Sequence, residues 1–180
     1  MTNVNRISPA IKALLIVVIF GVAGFFGWYT SDEEGKWALP FVIFYGVLTL
    51  NSFFSIRFFS SITPPEDLFQ RSIDAILVFL YLLLAYVIYE PDYFFPIALL
   101  LFIVATSKYV FLIGKIPYPK TLERKITIDS LGILLCVFVL SIAIMGYPNF
   151  AAWTLAIVFG LANVYLLLID PMYESIDRKV

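Results

Sequence analysis

The chain has 180 residues, 62% of them hydrophobic and 14% charged, with a mean hydropathy of +0.95. Soluble domains are about 45–50% apolar and about 25% charged, so a water-soluble globule of this composition would leave much apolar surface in contact with water. The net charge of −1 supplies no basic field for nucleic acid, the single cysteine, Cys136, excludes an intrachain disulfide or a cysteine metal site, and the absence of histidine excludes Ser-His-Asp and Cys-His catalysis, HExxH zinc sites and haem ligation by histidine.

Lipid as a solvent removes the difficulty, provided that every backbone polar group is satisfied inside a helix or a closed barrel. The apolar runs are long and continuous rather than alternating, which selects helices. A span needs about 20 apolar residues. Six such runs occur, at about 10–29, 37–59, 71–89, 93–114, 126–146 and 149–169. The expected fold is an all-α integral membrane protein, one bundle over residues 1–180, with six transmembrane helices arranged as three consecutive helical hairpins.

Taken in order, the first run follows Arg6 and Lys12 like a signal peptide, but it lacks an A-x-A-type site and continues to Trp28 and Tyr29, so it reads as a retained span. A tight turn at 30–36 leads to the second run, which carries a polar patch of Asn51, Ser52 and Ser55. The link at 60–70 contains Thr63-Pro64-Pro65-Glu66-Asp67, a cap residue followed by prolines and acids, as expected at a helix start. The third run carries Asp74 near its start, and the fourth carries Thr106, Ser107 and Lys108 near its end. Pro119-Lys120-Thr121 opens the fifth, so the third and fifth helices are expected to begin before the apolar run. Asp129 lies early in the fifth run and Asn163 late in the sixth. Small residues form possible close-packing stripes at Gly21, Gly24 and Gly27 and at Ala152, Ala156 and Gly160.

Charge is distributed unevenly. Of the twelve lysines and arginines, Arg6, Lys12, Arg57, Arg71, Lys108, Lys115, Lys120, Arg124, Lys125, Arg178 and Lys179 fall at one end, and Lys36 alone falls at the other. The positive-inside rule places the basic end, with both termini, in the cytoplasm of a plasma (inner) membrane. The short turns at the opposite end carry Asp32, Glu33, Glu34, Glu90 and Asp92, and aromatic pairs mark that boundary: Trp28 with Trp37, Tyr89 with Tyr93, Tyr147 with Trp153.

Polar residues recur at Asn51, Ser107 and Asn163, 56 residues apart each time, and the odd runs carry Lys12, Asp74 and Asp129. Either the hairpin is triplicated around a polar ring, or three hairpins of similar length place polar groups at similar depth. Carboxylates inside a span are costly and usually face a protein interior or a watery cavity. Asp74 and Asp129 are therefore the leading candidates for binding an ion or other ligand, with Asn51, Ser107, Asn163 and Lys108 as companions. The opposing reading is interfacial pairing along one helix, Arg71 with Asp74 and Lys125 with Asp129. Lys108 either snorkels to the interface or meets an acid on another helix. Asp129 follows Ile126-Thr127-Ile128 and not the Gly-x-Gly of intramembrane aspartyl proteases. No phosphate loop, dinucleotide fingerprint or metal cluster is legible, and no cofactor is expected.

The expected function is a small channel or transporter with a polar vestibule at the cytoplasmic side. The alternative is a non-catalytic subunit that anchors, senses or regulates a membrane protein partner. An enzyme acting on a lipid-soluble substrate through the two acids stands third. Expected partners are the lipid bilayer and a homo-oligomer or membrane protein partner, with no nucleic acid.

Overall fold

A computed structural model describes residues 8–30, 38–63, 67–116 and 119–173. Arg6, Asp32, Glu33, Glu34, Lys36, Trp37, Pro64, Pro65, Glu66, Arg178 and Lys179 lie outside the described residues. Six helices follow in order: α1 (Pro9–Tyr29), α2 (Ala38–Ile62), α3 (Leu68–Tyr86), α4 (Pro91–Val110), α5 (Pro119–Ile144) and α6 (Pro148–Val164), the last continued by a π-helical turn over Tyr165–Ile169. There is no strand among the described residues. All six helices are long and apolar enough to cross a membrane.

The helix starts follow from local chemistry. Proline opens α1, α4, α5 and α6, where its missing N–H is no loss and its fixed φ suits the first turn. Ser8 caps α1 by accepting from the Ile11 N–H at 3.3 Å, and Asp67 caps α3 by accepting from the Gln70 N–H at 3.1 Å. Consequently α3 begins three residues and α5 seven residues ahead of their apolar runs. The chain turns at Gly114 (φ 78°) and Gly146 (φ 93°), left-handed conformations that glycine adopts without a steric penalty.

The helices close into a ring in the order α1–α2–α6–α5–α4–α3, with α3 returning to α1. Three equivalent hairpins around an axis would meet through one repeated kind of junction. Here the junctions differ: α2 meets α6, α5 meets α4, and α3 meets α1. The even 56-residue spacing is thus not matched by a repeated mode of packing.

Within the ring, the half away from the basic end is filled with rings and branched chains. Phe41, Phe44, Phe94, Phe95, Leu84, Ile88 and Leu155 are all but fully buried. Phe41 stacks on Phe94 with centroids 4.0 Å apart and meets Phe95 edge-on at 5.3 Å, while Phe44 packs on Phe159 at 4.8 Å. Such pairs add roughly 0.5–1.5 kcal/mol each beyond the area they bury.

Only part of each small-residue stripe is used for close approach. A Cβ on Gly27 would stand 2.0 Å from the Ala85 carbonyl oxygen of α3, and one on Gly24 would meet the Tyr45 ring at 2.6 Å. Gly21 and Gly160 face open space, whereas Ala152 and Ala156 are buried. Gly27→Ala should therefore force α1 and α3 apart, because the neighbour is backbone and cannot rotate away; overpacking of this kind costs about 1–3 kcal/mol. Thermal unfolding in detergent should show a clear drop for Gly27→Ala and almost none for Gly21→Ala; equal midpoints would contradict the contact.

Candidate functional site

A cavity of about 320 Å³ occupies the half of the bundle nearest the basic end. Five of the six helices line it, all but α6. On α3 its wall runs from Asp67 and Gln70 to Tyr81; the eleven residues from Gln70 correspond to about 16 Å of helix. The floor is the Phe20–Tyr81 stack, with centroids 4.2 Å apart, locked by Tyr45, whose hydroxyl donates to the Phe20 carbonyl at 3.1 Å. The Gly24 notch lets the Tyr45 ring lie against α1 closely enough for that bond. Beyond the floor begins the phenylalanine-filled half, so the polar space ends midway along the bundle.

Two ion pairs stand on the wall, in different environments. Lys108 of α4 reaches Asp74 of α3 at 2.5 Å, and the Asp74 side chain remains 47% exposed. Lys125 pairs with Asp129 one turn along α5 at 2.7 Å, and both side chains are about nineteen-twentieths buried. Asp129 is thus enclosed by protein and pairs along its own helix, and Asp74 takes the lysine of the neighbouring helix. Lys125 also lies 5.3 Å from the centre of the Tyr109 ring, which it meets as a cation over a π face.

Hydroxyl groups extend the polar wall. Ser55 shares a hydrogen bond with the Tyr109 hydroxyl at 2.7 Å, and Ser52 shares one with the Tyr81 hydroxyl. Beneath them, the segment after α6 folds back. Arg124 holds Asp170 at 2.5 Å, the Met172 N–H donates to Leu166, and Tyr173 tucks against α2, its ring stacked on Phe54 and its hydroxyl donating to Asn51 at 3.4 Å. Burial raises the Tyr173 phenol above its ordinary range, so it remains a donor across physiological pH.

At the mouth, Lys115 bonds Asp67 at 2.8 Å. That bond, with the Gln70 N–H, holds the Asp67 carboxyl below its ordinary value of 3.8. The sign follows directly. A lowered native pKa favours the folded cap at all pH above the ordinary value, and the contribution is lost as pH falls through the lowered value.

Of the residues singled out in the sequence, Asp74, Asp129, Asn51 and Lys108 line this cavity. Ser107 instead donates to the Ile103 carbonyl of its own helix at 2.8 Å, and Asn163 is buried against α6, donating to the Phe159 carbonyl at 2.9 Å. Neither lines the cavity. In the sequence nothing marks Tyr81 or Tyr173, Tyr109 stands out only as the aromatic two residues after Ser107, and Lys125 only as a local partner of Asp129. No cluster of three or more His, Cys, Asp or Glu side chains capable of holding a metal occurs among the described residues. Compared with protein-family models, curated proteins and solved structures, the chain matches none.

Removing one member of a buried pair leaves the other charge unsolvated, at a cost of about 3–5 kcal/mol, whereas replacing both with apolar residues of similar volume is often neutral. Asp129→Ala should therefore lower the thermal midpoint strongly, Asp74→Ala, which leaves the less deeply buried Lys108 unpaired, by less, and Lys125→Met with Asp129→Leu should recover most of the loss. A double variant less stable than Asp129→Ala would show that the pair itself holds the fold.

Proposed function

We propose that this chain is a multi-pass membrane protein, three helical hairpins closed into one bundle, that admits a small solute into a chamber open to the cytoplasm. In mechanism it is a small transporter captured with its inner side open, not a permanently open pore. The observation that carries this reading is the chamber itself: a charged, ion-paired space set among six apolar helices and ending at an aromatic floor. The concentration of lysine and arginine at its mouth supports a cytoplasmic orientation, with both termini on that side.

The floor argues against a fixed channel. A conducting path needs polar lining or water throughout, and the half beyond Tyr81 is packed with phenylalanine and leucine. Passage then requires the ring to open on the far side and close on the near side. The Lys108–Asp74 pair is suited to that exchange, because it bridges α3 and α4 and its carboxylate is 47% exposed, so water can reach the acid when the pair parts, while the largely buried Lys108 is left to meet the solute. Lys125–Asp129, within a single helix, is suited to keeping the wall polar throughout. The alternative, a subunit that binds a membrane protein partner, would draw on the cleft of about 340 Å³ between the start of α1, the end of α2 and Tyr173 rather than on the chamber.

The test is uptake of small ions and organic solutes by liposomes containing purified protein. Asp74→Asn with Lys108→Gln removes the bridge while leaving no unpaired charge. Loss of a charge-assisted contact corresponds to about tenfold, so solute flux should fall about tenfold or more, with the protein still monodisperse. Equal flux in the double variant would remove the bridge from the path, and an absence of flux for every solute in the wild type would remove transport altogether.

A further inference from the structure

We propose that the chamber's solute is a small organic anion with an apolar body, its charged head held at the mouth and its body on the aromatic floor. This rests on the reading of the chamber as a solute-binding site and goes further by naming the chemical class.

The first support is the division of the wall by depth. On α1, Lys12 stands at the mouth and Phe20 at the base; on α4, Lys108 stands at the mouth and Leu101 at the base. On α3, Arg71 and Asp74 precede Leu77 and Val78 on the way in. On these three helices charge is confined to the outer part of the chamber; α5 adds Lys125 and Asp129, a buried pair held to each other, and the base at Phe20, Leu48 and Leu101 is apolar apart from the mutually bonded Ser52 and Tyr81 hydroxyls. A fully hydrated inorganic ion would gain nothing from such a base, whereas an amphiphile would bury its apolar end there.

The second support is the accounting of charge. The lining residues include the cations Lys12, Arg71, Lys108 and Lys125 and the acids Asp67, Asp74 and Asp129. Every one of these acids already holds a lysine: Lys115, Lys108 and Lys125 respectively. Lys12 has no carboxylate partner among the described residues. A cationic solute would have to compete with a lysine for each of these acids, while an anionic head adds to a wall whose acids each hold a lysine already. Gln70 Oε1 and Asp129 Oδ2, and the hydroxyls of Ser60 and Thr63, are buried without a hydrogen-bond partner on residues that line the chamber.

The third support is size. Pockets for small molecules span roughly 300–1,000 Å³, and 320 Å³ lies at the small end of that range. A two-chain lipid does not fit; a compact carboxylate or phosphate ester with one short chain or ring does.

The experiment is calorimetric titration of the full chain in nanodiscs with four probes: phenylacetate, its neutral amide, phenethylamine and inorganic phosphate. Phenylacetate should bind saturably and about tenfold more tightly than the amide, the difference expected of a charge-assisted contact. Phenethylamine and phosphate should not bind. Lys12→Gln should weaken phenylacetate toward the amide, and Ala105→Phe, which fills the base, should abolish binding in a protein that stays monodisperse. If Ala105→Phe does not stay monodisperse, Leu77→Phe serves the same purpose. Binding of phenethylamine in place of phenylacetate, binding of phosphate as tight as that of phenylacetate, retention of phenylacetate by the filled variant, or binding of none of the four would overturn the proposal. If liposome flux still depends on the Asp74–Lys108 pair in any of these cases, the chamber reading survives and only the class of solute is wrong.

Discussion

A buried lysine–aspartate pair sets the terms for the rest of this bundle. Lys125 and Asp129 sit on α5 with almost no exposure, the only charged side chains among the buried polar residues described, with Thr49, Ser52, Ser55, Gln70 and Asn163. Two charges withdrawn from water cost several kcal/mol each, and their attraction repays this only with good geometry and further polar neighbours. The surrounding structure provides these neighbours. Tyr109 lies under the ammonium, Ser55 joins Tyr109, and the turn after α6 is drawn in so that Tyr173 faces the same region. The polar half of the bundle is, on this view, the consequence of housing one pair of charges, and the chamber is the space that such a half leaves open.

The other half follows the opposite constraint. In a bilayer, hydrocarbon tails are as apolar as leucine, so helices gain little by hiding apolar chains from solvent and must associate through close packing. The near-contact of Gly27 with the Ala85 carbonyl and the closely packed phenylalanines between α2, α4 and α6 are this kind of packing. A rigid aromatic half joined to a polar, cavity-bearing half gives a bundle in which movement concentrates at one end. The α3–α4 bridge lies at that end and the α1–α3 backbone contact at the other, so α3 belongs to both.

Much of this architecture was legible in the sequence. Six apolar runs of the right length gave six helices because length and continuity leave no other solution for a backbone in an apolar setting. The early starts of α3 and α5 were legible because capping depends on two or three adjacent residues, as at Asp67 and Pro119. Asp74 and Asp129 were conspicuous because carboxylates are rare in such runs. The order of helices around the ring was not legible, since it depends on which faces complement one another, and six nearly uniform apolar faces carry little pattern. The same uniformity hid the difference between Ser107, turned to its own backbone, and Asn51, turned to the chamber. Tyr173 escaped notice because its place is decided by a fold-back beyond the last helix.

The proposed mechanism requires that the chamber be reached from one side only. Ala105 lines it well inside the bundle, and Cys136 is buried, so a single cysteine can be introduced at position 105 on a Cys136→Ala background. A membrane-impermeant thiol reagent should modify Ala105→Cys in inside-out vesicles and leave it unmodified in right-side-out vesicles. Modification from the outer face, or none from either, would contradict a cytoplasm-facing chamber and with it the proposed mechanism.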